Sequence, residues 1–272
     1  MIGQLRIIKG IDQFVKNSSN RFIIIVGEKG CGKKVATNHL AKSLKASLVV
    51  NEIKVDSVRD CIKTAYTQIY KIVYAFYDVD KMSLQAKNSF LKITEEPPKK
   101  AYVVLTVTNK FNLPATLHSR ATIFDMQDYS EEQLLEYQEK TKSYTIEETK
   151  QLLEICTLPG DFDYFQTTDI NTFYEFVHLV VENIADVSGA NAFKITQKIK
   201  TKIDGEGFEA YLFLKVVAKL FLKKVLTENN NCDYQAWKIT SIAKHDLSIN
   251  GINKQFLIDK WILDVRDIFL GD

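Results

Sequence analysis

Short runs of apolar residues alternate with helical segments in the first half of the chain. Four of these runs are rich in β-branched or aromatic residues and have the length of strands buried on both faces. They are 21–27, 71–78, 101–109 and 121–126. Between them apolar residues recur at steps of three and four, as at Val58, Cys61 and Ile62. Strands that alternate with helices predict a parallel α/β sheet.

After about residue 128 the pattern changes and no further strand-like run follows. Ser130 opens a segment with acidic residues in its first turn, which is typical of a helix start. Two long amphipathic segments, 208–226 and 252–270, then indicate an all-helical region. We therefore expect an α/β domain over 1–127, a small helical part over 128–170 and a larger helical part over 171–272.

Composition narrows the class of protein. With 272 residues, 46% of them hydrophobic, the chain can bury the cores of two or three domains. The net charge of +2 argues neither for nor against nucleic acid. No apolar run approaches the roughly 18 residues that a membrane helix needs, and the N-terminus has no signal-peptide pattern. The four cysteines lack C-x-x-C spacing, so we expect reduced thiols in a soluble, cytoplasmic protein without a zinc site.

The stretch "GEKGCGKK", residues 27–34, carries the clearest chemical signal. Gly27, Gly32 and Lys33 fit the pattern G-x-x-x-x-G-K, and Gly30 lies inside the loop. Glycines let backbone N–H groups surround phosphate oxygens at a helix N-terminus, and the lysine adds a positive charge. A predicted strand precedes the stretch and a predicted helix follows it. The sequence thus predicts a phosphate-binding loop, or P loop.

The magnesium chemistry of such a loop is in doubt. Lys34 stands where a serine or threonine hydroxyl normally binds Mg²⁺, and an ammonium group repels a metal ion. An acidic residue is also expected at the end of a neighbouring strand. In "FYDVD" two alignments are possible: Asp78 is the metal-binding acid, or Tyr77 has replaced it. The residues alone leave both alternatives open.

A longer stretch resembles a known family. "DVDKMSLQAKNSFLKITEEPP", residues 78–98, is similar to the segment of bacterial clamp-loader subunits that reads roughly D-D-A-D-R-M-x-x-x-A-x-N-A-L-L-K-x-L-E-E-P-P. Residues 53–62 and 108–124 resemble neighbouring segments of the same subunits. The chain therefore resembles AAA+ subunits of the DNA polymerase III clamp loader, in particular those of the delta-prime type. The implied fold is an AAA+ P-loop α/β domain with a parallel sheet, a helical lid and an all-α collar domain.

The resemblance implies a degenerate nucleotide site. It aligns Tyr77 with the metal-binding acid, Asp78 with the second acid and Asn109 with a position known as sensor 1. No cofactor is certain: ATP or ADP would bind weakly and without productive Mg²⁺, and no metal is expected. The family commonly inserts a zinc module where residues 46–54 form a direct connection, so no zinc is expected. The site would consist of Gly27, Gly30, Gly32, Lys33, Lys34, Asp78 and Asn109.

One arginine takes its role from the same resemblance. Ser119, Arg120 and Ala121 are similar to a Ser-Arg-Cys motif, with alanine in place of cysteine. In clamp loaders this arginine reaches the ATP site of the neighbouring subunit, where a guanidinium stabilises charge on the transferred phosphoryl group. The resemblance thus implies that Arg120 is a catalytic arginine finger that acts in trans.

The implied role is that of a DNA polymerase III holoenzyme component without independent ATPase activity. Its partners would be motor and delta subunits in a hetero-oligomeric ring, the sliding clamp and, weakly, primer-template DNA. No membrane partner is expected. Two alternatives remain at this point: an active AAA+ motor subunit that uses Lys33 and Asp78, and a P-loop binding protein that holds nucleotide as a structural plug.

Overall fold

A computed structural model describes residues 2–141, 144–184, 189–205, 208–247 and 252–271. The chain forms two compact units. The first consists of Met1–Thr141 and Thr157–Gly160, and the second of Lys142–Cys156 and Asp161–Asp272. The finer division into parts over 1–127, 128–170 and 171–272 stays a prediction.

The first unit is built around the predicted parallel sheet. Its strands are β1 (Phe22–Val26), β2 (Ser47–Asn51), β3 (Ile72–Phe76), β4 (Ala101–Val107) and β5 (Thr122–Asp125). Their order across the sheet is β2-β3-β4-β1-β5, and every neighbouring pair is parallel. The four strands expected from apolar runs are confirmed, each shortened by two or three residues.

Strand β2 is the one that the apolar pattern does not predict. Its segment was interpreted as a simple connection between two helices. In the structure it pairs along its length with β3 at the edge of the sheet. Val50 is 58% exposed, so the strand lacks the buried apolar run that marks its neighbours. An edge position has only one partner strand and tolerates such a mixed pattern.

Helices cover both faces of this sheet. They are α1 (Leu5–Asn17), α2 (Lys33–Leu44), α3 (Val55–Ala65), α4 (Leu84–Asn88), α5 (Leu91–Glu95), α6 (Ala115–His118) and α7 (Glu131–Thr141). Because side chains alternate along a strand, Ile23 and Ile25 pack on one face with residues of α1 and α2. Ile24 packs on the other face with residues of α3, α4 and α5. Burial on both faces explains why β1 is apolar throughout.

The segment 83–96 forms two short helices, α4 and α5. Ser83 caps α4 by accepting a hydrogen bond from the backbone N–H of Ala86. Between α4 and α5 the hydroxyl of Ser89 donates to the carbonyl oxygen of Gln85. Phe90 follows and packs edge-to-face on Phe76 of β3, with ring centroids 4.9 Å apart. The turn inserts this ring into the core, a tertiary contact that helical periodicity does not reveal.

The second unit is helical. Its helices include α8 (Ile146–Ile155), α10 (Ile170–Asn183), α11 (Gly189–Lys200), α12 (Ala210–Glu228), α13 (Asn231–Asp246) and α14 (Lys254–Leu270). The short helix α9 (Pro159–Tyr164) contributes residues from Asp161 onward. Beyond β5 the described residues contain no strand, as the sequence predicts. No helix in the described ranges is both long and apolar enough to cross a membrane.

Polar contacts join the helices of this second unit. The buried Trp261 donates its indole N–H to the hydroxyl of Thr240, at 2.9 Å. Lys215 on α12 forms a 2.8 Å ion pair with Asp161 on α9, and both side chains are less than 10% exposed. One turn later, Lys219 donates to the carbonyl oxygens of Leu153 and Cys156 at the end of α8. These contacts satisfy polar groups that would otherwise be costly to bury.

The buried ion pair leads to a stability prediction. Lys215→Met removes the ammonium group from a carboxylate that stays buried, so we expect the free energy of unfolding to fall by about 3–5 kcal/mol. Urea denaturation of the full chain measures the loss. Lys223→Met is the matched control, because its 3.7 Å pair with Glu154 is exposed. We expect that variant to lose less than about 1 kcal/mol. Equal losses in both variants would contradict the prediction.

The cysteines lead to a second prediction. Burial raises the pKa of Cys31 and Cys156, and raises that of Cys61 to about 12. Cys232 is partly exposed. A thiol reagent at mildly alkaline pH should therefore modify Cys232 quickly in the native chain and the other three only after denaturation. Cys232→Ser should abolish the fast reaction, and rapid labelling of Cys61 in the folded state would contradict this assignment.

The raised thiol pKa values also set a direction for stability. The unfolded chain loses these protons at its ordinary thiol pKa of about 8.5, whereas the folded chain retains them. Stability contributed by the buried neutral thiols should therefore be lost as pH rises above that value. Denaturation midpoints measured on both sides of it would show the decline.

Candidate functional site

The predicted P loop lies between β1 and α2, as its motif requires. Gly30 and Gly32 have φ values of +89° and +95°, in the left-handed region that favours glycine. At Gly27 a Cβ atom would lie 2.7 Å from both the Sγ atom of Cys31 and the Cβ atom of Met126. All three glycines are thus required by the backbone path of the loop.

Lys33, the lysine of the motif, is turned back into the loop. Its side chain is buried and its Nζ atom donates to the carbonyl oxygens of Gly27 at 2.6 Å and Glu28 at 3.0 Å. Helix α2 begins at this residue, and its N-cap, Gly32, has no side chain to cap the first turn. The N-terminal N–H groups of a helix favour an anion, so the electrostatic preference of this corner is for negative charge.

Residues distant in sequence hold the backbone of the loop. The hydroxyl of Tyr129 donates to the carbonyl oxygen of Cys31 at 3.0 Å. The backbone N–H of Gly160 donates to the carbonyl oxygen of Gly30, also at 3.0 Å. A Cβ atom at position 160 would lie 2.4 Å from the Cα atom of Gly30, so only glycine permits this approach. The loop is therefore fixed from outside as well as by its own lysine.

Lys34 and Tyr77 meet beside the loop. The Nζ atom of Lys34 lies 5.4 Å from the centre of the Tyr77 ring, within the range of a cation–π contact. Tyr77 is half-buried, and burial raises the pKa of its hydroxyl, an effect partly offset by the nearby Thr37. The hydroxyl of Thr37 also donates to the carbonyl oxygen of Lys33. The two positions expected to bind magnesium thus carry an ammonium and a phenol, a donor set that does not fit Mg²⁺.

The two acidic residues after β3 are used elsewhere. Asp78 has a φ of +54°, and its backbone N–H donates to the hydroxyl of Thr106. Its carboxylate lies 3.5 Å from the Nζ atom of Lys81. Asp80 accepts hydrogen bonds from the backbone N–H of Thr108 at 2.7 Å and from the amide of Asn112 at 3.0 Å. The contact between positions 34 and 77 favours the alignment in which Tyr77 has replaced the metal-binding acid.

Asn109 follows β4, the strand between β1 and β3. Its side-chain oxygen accepts a hydrogen bond from the backbone N–H of Phe111 and caps a short 3₁₀ helix, Lys110–Asn112. The amide of Asn109 therefore has a local structural use in this conformation.

In the described ranges no group of three or more histidine, cysteine, aspartate or glutamate side chains is arranged to hold a metal ion.

Arg120 lies at the amino ends of the strands, whereas the P loop lies at their carboxyl ends. It precedes β5, and its carbonyl oxygen accepts a hydrogen bond from Asn20, which precedes β1. The loop follows the carboxyl end of β1. The five residues of this strand separate its amino end from its carboxyl end by about 15 Å. The guanidinium is exposed, donates to the carbonyl oxygen of Thr116 at 2.8 Å and lies 3.8 Å from Glu95. Arg120 therefore does not belong to the nucleotide site of its own chain.

Several residues around the loop were not predicted. Thr37 and Tyr129 sit in ordinary helical or connecting sequence, and nothing in the sequence indicates their hydrogen bonds to the loop. Gly160, in the stretch "LPG", belongs to no motif recognised in the sequence. A glycine at this position indicates a special backbone conformation or a close approach, but only the folded chain shows that the approaching residue is Gly30.

Comparison with known proteins relates the chain to DNA polymerase III. Residues 46–130 match the family model described as DNA polymerase III, delta subunit. The DNA polymerase III subunit gamma of Buchnera aphidicola subsp. Acyrthosiphon pisum is 25% identical over 169 residues. That alignment covers 50% of this chain and 47% of the relative, so the chain matches about half the length of that protein.

Solved structures share the fold. A DNA polymerase III gamma subunit-related protein from Thermotoga maritima superposes with a TM-score of 0.51 at 17% identity, over 96% of this chain and 99% of that one. Thermotoga maritima RuvB superposes with a TM-score of 0.50 at 13% identity, over 66% of this chain and 63% of that one. The chain thus shares the fold of these two structures, with its parallel sheet, its P loop and its helical C-terminal part. The sequence matches thus relate this chain to DNA polymerase III subunits of the delta and gamma types, and the solved structures show the fold that it shares with such a protein.

Proposed function

We propose that the chain is a delta-prime-type subunit of a DNA polymerase III clamp loader. It hydrolyses no ATP of its own and supplies Arg120 to the ATP site of a neighbouring motor subunit. Its partners are the motor and delta subunits of a hetero-oligomeric ring, the sliding clamp and, weakly, primer-template DNA. The process served is the loading of the sliding clamp onto DNA.

The observation that carries this proposal is the placement of Arg120. The residue is exposed and lies at the amino ends of the strands, whereas its own P loop follows the carboxyl end of β1, a strand about 15 Å long. A guanidinium in that position is too far from its own P loop to act there, which supports a role on a nucleotide held by another chain. Its contacts, one carbonyl oxygen and a carboxylate at 3.8 Å, are weak enough to be exchanged for a phosphate.

The Lys34–Tyr77 contact supports the proposed absence of independent hydrolysis. A P-loop ATPase needs a hydroxyl and a carboxylate on its magnesium ion, and this contact provides neither. The alternative of an active motor subunit requires Asp78 to bind the metal. The carboxylate of Asp78 is instead 3.5 Å from the ammonium of Lys81, which opposes that role.

The role of Arg120 can be measured in a mixture with the motor subunit. The wild-type chain should stimulate ATP hydrolysis by the motor subunit, and Arg120→Ala should remove that stimulation, since such arginines contribute roughly 10³–10⁵-fold in rate. Arg120→Lys should not restore it, because an ammonium lacks the planar, bidentate geometry of a guanidinium. The residue is exposed, so circular dichroism of both variants should match the wild type.

A matched control separates this role from general charge loss. Arg59 is also exposed, on α3, where it pairs with Asp56 of the same helix. Arg59→Ala should leave the stimulation unchanged. Stimulation that survives in Arg120→Ala, or falls equally in Arg59→Ala, would refute the assignment of Arg120.

The isolated chain provides a second test. We expect no Mg²⁺-dependent ATP turnover from the wild-type chain, and Lys33→Ala should not alter that baseline. Robust turnover that needs Mg²⁺ and disappears in Lys33→Ala would make the chain a motor subunit. Failure to assemble with motor and delta subunits would instead favour a P-loop protein that holds nucleotide as a structural plug.

A further inference from the structure

We propose that the ammonium of Lys34, held over the ring of Tyr77, is a built-in replacement for magnesium. The P loop would then bind the polyphosphate chain of a nucleoside di- or triphosphate that carries no metal ion. The inference deepens the proposed function, on which it rests for the loss of hydrolysis. It assigns to the loop a ligand class, metal-free polyphosphate, and to Lys34 and Tyr77 a joint role in binding it.

The position of the ammonium is the first argument. Lys34 lies in the first turn of α2, and Tyr77 directly follows β3. In a P-loop protein the metal ion lies between these two elements, in contact with the phosphates. The 5.4 Å contact between the Nζ atom and the ring therefore places a positive charge in the region where magnesium would otherwise lie.

The charge balance of this corner is the second argument. Lys33 and Lys34 bring two ammonium groups to the N-terminus of α2, where the helix dipole adds further positive potential. In the described part of the chain, neither of these lysines forms an ion pair with a carboxylate. The nearby carboxylates of Asp78 and Asp80 are directed to Lys81 and to the end of β4. Such a corner attracts a polyanion and repels a divalent cation.

Tyr77 accounts for the placement of the ammonium. A lysine side chain has four flexible bonds and would otherwise sample many positions. The ring attracts the ammonium through its π face, and the hydroxyl of Tyr77 lies near that of Thr37. Thr37 is bonded in turn to the carbonyl oxygen of Lys33. The ring, the first turn of α2 and both lysines are thus one connected arrangement.

Binding requires only a local change in the loop. The Nζ atom of Lys33 would exchange the carbonyl oxygens of Gly27 and Glu28 for phosphate oxygens, which are stronger acceptors because they are charged. The backbone of the loop would stay in place, since Gly160 and Tyr129 hold the carbonyl oxygens of Gly30 and Cys31.

Isothermal calorimetry on the full chain tests the inference directly. We expect ADP to bind in the presence of a metal chelator and to bind more weakly with excess Mg²⁺, because the metal then occupies the phosphate oxygens. Inorganic pyrophosphate should also bind with the chelator, and adenosine should not. Comparison of ADP with pyrophosphate separates recognition of the phosphate chain from recognition of the nucleoside.

Variants assign the binding to the two residues. Lys34→Ala should lower the affinity for ADP in the chelator by roughly 10–100-fold, the loss of one charge-assisted contact. Tyr77→Phe keeps the ring and should retain most of the affinity. Lys42→Ala removes an exposed lysine from the last turn of the same helix and should have no effect. The double variant Lys34→Thr with Tyr77→Asp restores both metal-binding groups and should make ADP binding depend on Mg²⁺.

Three outcomes would overturn the inference: no binding of ADP or pyrophosphate to the folded chain, binding that needs Mg²⁺, or Lys34→Ala binding as tightly as the wild type. The stimulation assay distinguishes this failure from failure of the proposed function. Arg120-dependent stimulation of the motor subunit by a wild-type chain that binds no polyphosphate would refute the present inference alone. Absence of any stimulation by the wild-type chain would refute the proposed function.

Discussion

The structure depends on a parallel sheet whose two faces are both covered by helices. Ile23 and Ile25 are buried on one face of β1 and Ile24 on the other, so the strand cannot shift without exposing apolar residues. Because all five strands run in the same direction, their carboxyl ends share one edge. The P loop, Tyr77 and Asn109 lie at these carboxyl ends, and Arg120 lies at the amino ends. The sheet therefore separates the two chemical features of the chain by the length of a strand.

The Lys34–Tyr77 contact gives the altered P loop a physical logic. An ammonium in place of the hydroxyl at position 34 repels a divalent metal ion, so an acid at position 77 would no longer have a metal ion to bind. With tyrosine in place of that acid, the ammonium gains a cation–π contact of about 0.5–1 kcal/mol. The lysine at position 34 and the tyrosine at position 77 are therefore compatible with each other, and neither is compatible with a bound magnesium ion.

The loop also shows how much of a site lies outside its motif. Its backbone is held by Tyr129 and Gly160, which follow the strands and belong to no recognised pattern. Gly160 approaches so closely that its own lack of a side chain is part of the fit. A P loop with normal glycines can thus be a well-supported structural element whether or not it takes part in hydrolysis.

The sequence alone determined the buried strands, the loop and the change to helices, since each is a local pattern of apolar residues, glycines or caps. The motif around Arg120, by contrast, was identified through its resemblance to a known family. Only the tertiary structure decided that β2 is an edge strand and that α4 and α5 separate at Phe90. It also decided that Lys34 contacts Tyr77, whereas Asp78 lies beside Lys81. These features depend on contacts between residues far apart in the chain, and such contacts exist only once the sheet has brought its strands together.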